Sequence, residues 1–198
     1  MDSKNTYGAI RKIFHFRGEN HSLPWGTSKR YGRDLFPILF ARAGRNIGAE
    51  IGVRKGRFSK KICEANPNLK LFCVDPWYAY DRYTQEMQDQ LYEEAVKNLA
   101  PYNTVIIRKT SMDALNDFED KSLDFVHIDG NHTFDFVCPD LIFWVKKVKS
   151  GGIITLHDYH CGLDYGVVNA VDAYTRSHHI DPWFVTKESQ PTAFWVNP

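Results

Sequence analysis

The sequence lacks the features that mark a membrane protein, a disulfide scaffold or a metal finger. No C-x-x-C pair occurs, so neither a zinc finger nor a thioredoxin-like motif is expected. The chain is predicted to carry reduced thiols at Cys63, Cys73, Cys138 and Cys161. No stretch approaches a membrane span, and the N-terminus has no apolar signal region, which predicts a cytoplasmic location. A net charge of only +1 makes a nucleic-acid partner unexpected.

What the chain does contain is a regular alternation of short apolar segments and amphipathic ones. Seven strands are predicted, at Ile47–Ile51, Leu69–Val74, Thr104–Ile107, Leu123–Ile128, Ile153–Leu156, Trp183–Val185 and Ala193–Val196. Helices between the first five indicate a doubly wound, mostly parallel α/β sheet, closed by an antiparallel C-terminal strand pair. Residues 1–45 are predicted to be an N-terminal lead-in or lid segment, and residues 46–198 the main domain.

Glycines follow the first predicted strand, where ligands of such sheets bind. Gly52 and Gly56 allow a tight turn and a close backbone approach. The third glycine of the dinucleotide motif G-x-G-x-x-G is missing. Glu50, two residues before Gly52, would repel a pyrophosphate but suits a cationic ligand. A purely structural glycine turn is the alternative interpretation.

Polar residues also follow the next two strands. Asp75 can accept both ribose hydroxyls of a nucleoside, although an Asp before Pro76 is also a common turn residue. Ser111 and Met112 offer a polar and a flexible apolar contact of the kind an adenine needs. Ser111 could equally serve as a helix cap.

Two clusters of Asp and His follow the fourth and fifth strands. They read Ile128-Asp129-Gly130-Asn131-His132 and Leu156-His157-Asp158-Tyr159-His160. If the two strands are neighbours, two aspartates and up to three histidines share one rim of the sheet. Such residues are common in loops, but their occurrence at corresponding strand ends favours a functional role.

Three segments resemble motifs of class I S-adenosylmethionine-dependent methyltransferases. They are Ala49 to Ser59, Leu123 to His132, and Gly151 to Tyr159. The last two are similar to the fourth and fifth strands of a subgroup of bacterial small-molecule O-methyltransferases that includes macrocin O-methyltransferase. The resemblance runs from Asn46 to about Tyr159 and does not specify the methyl acceptor.

The resemblance implies a Rossmann-like methyltransferase fold and roles for individual residues. Gly52 and Gly56 would line the amino acid part of S-adenosylmethionine, with Glu50 near its ammonium or ordering the loop. Asp75 would bind the ribose, and Asp129 would lie near the sulfonium. The implied cofactor-binding set is Glu50, Ile51, Gly52, Gly56, Asp75, Pro76, Trp77, Ser111, Met112 and Asp129.

Many members of the subgroup also bind Mg²⁺ or a similar divalent cation. Asp129 and Asp158 match two of their carboxylates, but the third position is Tyr159 rather than Asp or Asn, which leaves metal dependence open. The hydroxyl proton of an acceptor would pass to His157 or His132, or a metal would acidify the hydroxyl. A structural hydrogen bond is the alternative role for each histidine.

The acceptor itself is not encoded in a motif. Met1–Arg45 and Trp77–Tyr83 are rich in Tyr, Trp and Arg, which suits a ring-bearing or sugar-like hydroxyl compound, as does ordinary packing. A nicotinamide-dependent oxidoreductase is disfavoured by the missing glycine. A non-catalytic cofactor-binding module is disfavoured by His157 and Asp158. The sequence is compatible with a homo-oligomer.

Overall fold

The computed structural model describes residues 3–15, 25–27, 32–160 and 166–198. The α-helices are α1 Ser3–Phe14, α2 Phe36–Arg42, α3 Arg57–Ala65, α4 Gln85–Leu99, α5 Ser111–Ala114, α6 Phe134–Lys147 and α7 Val167–Ser177. Short 3₁₀ turns are formed by Arg33–Leu35 and Leu115–Asp117. The strands are β1 Trp25–Gly26, β2 Ile47–Ile51, β3 Lys70–Val74, β4 Thr104–Ile107, β5 Leu123–Ile128, β6 Val148–Leu156, β7 Trp183–Val185 and β8 Ala193–Val196.

All of these strands join one sheet in the order β1-β7-β8-β6-β5-β2-β3-β4. The pairings from β4 across to β6 are parallel, and β8 runs antiparallel to both β6 and β7. The prediction of a doubly wound, mostly parallel sheet with an antiparallel C-terminal pair is confirmed. The predicted number of seven strands is one short, because β1 pairs in parallel with β7. A two-residue strand is too short to leave a periodic signal in the sequence.

Helices cover both faces of the sheet. One core includes Ala114 of α5, Trp144 of α6 and Val171 of α7. The opposite core includes Ile62 of α3 and Leu99 of α4, together with residues of α1 and α2. The order in which successive strands are added to the sheet reverses between the parallel strands β2 and β5, and this is the switch point where open α/β sheets bind ligands.

The described part of the lead-in segment packs directly on the sheet. The rings of Phe40 and Phe125 are stacked with centroids 3.9 Å apart, and both side chains are fully buried. Phe14 of α1 lies 4.9 Å from Phe194 of β8. The buried Arg45 guanidinium donates to the Gly151 carbonyl at 2.7 Å. These residues therefore contribute to the core, while the division at residue 45 stays a prediction.

Two element boundaries differ from what the sequence pattern predicts. The apolar spacing of Arg33–Ala43 predicts a helix over that range, but α2 begins at Phe36, which places Pro37 in its first turn, where it costs no hydrogen bond. The segment Ser150-Gly151-Gly152 predicts a turn before the fifth strand, but β6 already begins at Val148. The pairing of β5 with β6 shifts register there, so the glycines form an irregularity within the strand.

Two further sequence expectations concern thiols and membranes. Cys63, Cys73 and Cys138 are free thiols, and Cys161 lies outside the described residues. Most of the turn-rich segment predicted at 18–32 also lies outside them. Within the described ranges, the helices are all too short or too polar to cross a membrane.

Candidate active site

The glycine turn after β2 lies where three strand ends meet. Gly52 has φ of +90°, and a Cβ there would come within 2.2 Å of the Asp129 carbonyl oxygen. Its N–H donates to Val74 at the end of β3, and the Asp129 N–H donates to Ile51 at 2.8 Å. Gly56, with φ of +69°, precedes α3. The loop therefore requires glycine for both conformation and space.

Asp75 ties this loop to the end of β3. One carboxylate oxygen accepts the backbone N–H groups of Val53 and Arg54, both at 2.9 Å. The other accepts the N–H of Trp77 at 3.0 Å, while Pro76 lies between them. A carboxylate has about four lone-pair sites, so Asp75 keeps capacity for a ribose hydroxyl. In the structure, the Asp75 carboxylate therefore holds the backbone of the glycine loop in place.

Trp77 is oriented inward rather than towards a ligand. Its side chain is only 1% exposed, and its indole N–H donates to the Arg54 carbonyl at 2.8 Å. Ser111 and Met112 begin α5 at the end of β4, and Met112 is 38% exposed. Among the predicted cofactor-binding residues, Met112 is therefore accessible to an adenine. Trp77 is buried and hydrogen-bonds to the glycine loop through the Arg54 carbonyl.

Glu50 is buried beneath the glycine loop. It is 1% exposed and accepts a hydrogen bond from the Ser59 hydroxyl of α3. Burial raises the pKa of Glu50 to about 8, so its carboxyl group carries a proton at neutral pH. The Glu50 side chain thus bonds to α3, and both of its expected roles, near the cofactor's ammonium or in ordering the loop, stay predictions.

The two Asp and His clusters meet, as expected from neighbouring strands. His157 Nδ1 lies 3.1 Å from Asp129 Oδ1 and 3.0 Å from Asp158 Oδ2. His132 Nε2 lies 3.4 Å from the same Asp129 oxygen and 3.1 Å from the same Asp158 oxygen. His160 Nε2 is 3.3 Å from Asp158 Oδ1. The result is a compact carboxylate–imidazole cluster beside Gly52.

Mutual pairing sets the charge of this cluster. Burial would raise the pKa of Asp129, but hydrogen bonds from His132 and His157 and the charge of Arg33 hold it well below its usual range. Burial would lower the pKa of His157, but hydrogen bonds to Asp129 and Asp158 raise it to about 9. Both aspartates are therefore ionised at neutral pH, and the carboxylates favour the protonated ring of His157.

Arg33 completes the cluster, and sequence reasoning missed it. Its Nη2 donates to Asp129 Oδ2 at 2.7 Å, and its Nη1 lies 3.2 Å from His157 Nε2. The guanidinium also stacks over the Phe58 ring, 4.2 Å from its centroid. The abundance of arginine in the lead-in segment was the available signal, but it does not distinguish Arg33 from its neighbours.

His127 is a second residue that the sequence did not single out, because it lies inside β5. It is fully buried, and its Nδ1 is 2.7 Å from the Thr155 hydroxyl. Burial lowers the pKa of His127 well below its usual range, so the ring is neutral. Among the described residues its Nε2 has no hydrogen-bond partner, and it lies 4.0 Å from Asp129 Oδ2.

The donor set of the cluster fits a divalent cation. Asp129, His132 and Asp158 each offer an atom within 4.8 Å of the others. Two carboxylates and an imidazole suit first-row transition ions as well as Mg²⁺. Tyr159, at the position expected to carry a third oxygen donor, instead donates its hydroxyl to Asp172 at 2.7 Å. Of the described residues, it is His132 that offers a third donor atom beside the two carboxylates, which the sequence had not indicated.

Comparisons with known proteins agree with this arrangement. Residues 49–159 match the model of a family described as a methyltransferase domain. A curated relative, the uncharacterized protein y4gI of Sinorhizobium fredii, is 26% identical over 136 residues, which are 68% of this chain but 15% of that protein. The chain thus spans a small part of the length of that relative.

Several solved structures share the fold. The O-methyltransferase TomG from Streptomyces achromogenes, solved with S-adenosylmethionine, has a TM-score of 0.61 and 15% identity, covering 100% of this chain and 92% of that one. The N-methyltransferase NodS from Bradyrhizobium japonicum has a TM-score of 0.58 and 14% identity, covering 84% and 94%. Spermidine synthase from Thermotoga maritima has a TM-score of 0.58 and 11% identity, covering 84% and 58%. Since these activities differ, the shared fold alone does not fix the acceptor.

Proposed function

The chain belongs to the methyltransferase-domain family and is a class I S-adenosylmethionine-dependent methyltransferase, and on that premise we propose that it methylates a hydroxyl group of a small molecule. The family match favours this activity over a nicotinamide-dependent oxidoreductase. A ring-bearing or sugar-like acceptor suits the aromatic residues that follow β3, of which Tyr78 and Tyr80 are 44% and 53% exposed. We further propose that residues 1–45 help to shape the acceptor pocket, since Arg33 reaches the cluster from this segment.

The observation that carries the proposal is the carboxylate–imidazole cluster beside the glycine loop. Gly52 and Asp129 are in contact at the switch point, so a cofactor lying on the loop would place its reactive end near Asp129. A module that only binds the cofactor has no need of proton acceptors there. His157 and His132 therefore favour an enzyme.

When bound, S-adenosylmethionine supplies a methyl group that its positive sulfur has already activated. The chain's own residues must then hold the acceptor in line with that methyl and receive the hydroxyl proton. His157 is one candidate for the proton: the carboxylates of Asp129 and Asp158 hold its Nδ1, but they also favour its protonated ring, so it can act as a base only after it has released that proton. His132 is the second candidate.

We also propose that a divalent cation binds Asp129, His132 and Asp158. Such an ion would lower the pKa of a coordinated acceptor hydroxyl. Support comes from the mutual distances of the three donors. It also comes from the buried Nε2 of His127, which has no hydrogen-bond partner among the described residues and lies 4.0 Å from Asp129 Oδ2.

The test is transfer of labelled methyl from S-adenosylmethionine to a panel of hydroxylated compounds, with and without chelator. We expect transfer to at least one acceptor, and a large loss in Asp129→Asn with S-adenosylhomocysteine binding retained. Tight S-adenosylhomocysteine binding without transfer to any acceptor would favour the binding module. Binding of NADH in preference to S-adenosylhomocysteine would contradict the methyltransferase assignment.

A further inference from the structure

We propose that Arg33 competes with a divalent cation for Asp129, so that removing its charge makes the cluster bind metal more tightly. This inference rests on the proposed metal site at Asp129, His132 and Asp158. It assigns to Arg33 the role of a positioning residue that sets metal affinity, acting through Asp129.

The contacts of Arg33 place a permanent cation at the metal ligands. Its Nη2 forms an ion pair with Asp129 at 2.7 Å, and the two side chains are only 23% and 15% exposed. Interactions between partly buried charges are screened by salt far less than those at the surface. A cation bound beside Asp129 would therefore experience strong repulsion from the guanidinium.

Charge counting gives the direction of the effect. Asp129 and Asp158 together contribute two negative charges to the cluster, and Arg33 cancels one of them. Replacing Arg33 with a neutral side chain would remove one positive charge from the cluster, whatever the charge of His157, and would make it more attractive to a divalent ion.

Arg33 could instead aid metal binding by orienting Asp129, since partners of metal ligands often do so. The structure argues that this contribution is small. The Asp129 backbone is fixed by its N–H bond to Ile51 at 2.8 Å. Its carboxylate is also held by His157, which is not one of the proposed ligands, at 3.1 Å. Without Arg33 these contacts persist, whereas its positive charge has no replacement.

Arg33 is also held in place from outside the cluster. Its backbone N–H donates to Glu188 Oε1 at 2.6 Å, and its guanidinium lies on the Phe58 ring. Glu188 thus holds the backbone of Arg33, and the Phe58 ring supports its guanidinium, while the guanidinium contacts Asp129. The repulsion therefore comes from a guanidinium that the fold holds in one place, and not from a mobile side chain at the surface.

The experiment is a Mn²⁺ titration of the full chain by calorimetry, repeated by electron paramagnetic resonance of the free ion. We expect Arg33→Gln to bind Mn²⁺ at least about tenfold more tightly than the wild type, a factor equivalent to about 1.4 kcal/mol. Arg33→Lys keeps the charge and should stay within about threefold of the wild type. Arg57→Gln, which removes an arginine that is 75% exposed, is the matched control and should leave the affinity unchanged.

Other outcomes would overturn the inference. Equal or weaker Mn²⁺ binding by Arg33→Gln would show that orientation, and not repulsion, dominates. Absence of Mn²⁺ binding in every variant would remove the metal site and the competition with it. A parallel S-adenosylhomocysteine titration separates these results from the proposed function, because cofactor binding and methyl transfer can persist when the metal result is negative. It also reports whether Arg33→Gln is folded.

Discussion

Replacing Glu50 with glutamine should stabilise the protein at neutral pH, although Glu50 lies in the glycine motif that follows β2. The carboxyl group is 1% exposed, and burial raises its pKa from 4.5 to about 8. Between these two values the folded state binds more protons than the unfolded state. The free energy of unfolding therefore falls as the pH rises through this window, and above it the two states titrate alike.

The magnitude follows from the size of the shift. Within this window, each pH unit lowers the free energy of unfolding of the wild type by about 1.4 kcal/mol. The total loss reaches about 3 kcal/mol at neutral pH. Glutamine has nearly the same shape, still accepts from Ser59 and does not titrate. Glu50→Gln should therefore gain stability relative to the wild type steadily from pH 4.5 to about 8.

The assay is urea unfolding at several pH values across this window, with Glu119→Gln as an exposed control on the same chain. The difference in the free energy of unfolding between the control and the wild type should be the same at every pH. If the difference in the free energy of unfolding between Glu50→Gln and the wild type were also the same at every pH, Glu50 would be ionised in the folded state. The argument from burial would then be wrong. In that case a cation must compensate its charge, and a direct contact with the cofactor's ammonium would regain support.

Three further substitutions test the loop and the core. Asp75→Ala should weaken S-adenosylhomocysteine binding about tenfold or more in calorimetry, because the loop loses its backbone acceptor. Phe40→Ala should lower the free energy of unfolding by about 3–5 kcal/mol in urea, while the exposed Ile38→Ala on the same helix should change it by less than about 0.5 kcal/mol. Gly52→Ala should reduce both stability and cofactor affinity, since its Cβ would lie 2.2 Å from the Asp129 carbonyl oxygen. Wild-type cofactor affinity in Asp75→Ala or Gly52→Ala, or a small effect of Phe40→Ala, would contradict these assignments.

The sheet could be predicted from sequence because its central strands are buried on both faces. Such strands read as short apolar runs, and the residues at their carboxyl ends meet by topology alone. This reasoning placed Asp129 and His157 together without any coordinates, and the structure confirms their contact at 3.1 Å. The same reasoning located Asp75 beside the glycine loop.

What the sequence did not reveal depends on contacts between distant segments. Arg33 reaches Asp129 across 96 positions of the chain, and no local pattern marks such a pair. For Glu50, no local pattern shows that its side chain bonds to Ser59 of α3. Strand β1 was too short to show alternation. His127 lies within the apolar run of β5 and is buried like its neighbours, so the sequence pattern did not mark it as a site residue.

The hydrogen bond from the Arg33 N–H to Glu188 joins the carboxylate–imidazole cluster to the loop between β7 and β8. A Cβ at Gly32 would meet Glu188 Oε2 at 2.2 Å, so the two segments lie close together. Loops at the surface tolerate sequence change better than the strands they connect. Variation in this hairpin would therefore change the electrostatic potential around Asp129 during evolution or protein engineering, without altering the loops that carry Gly52 and Asp75.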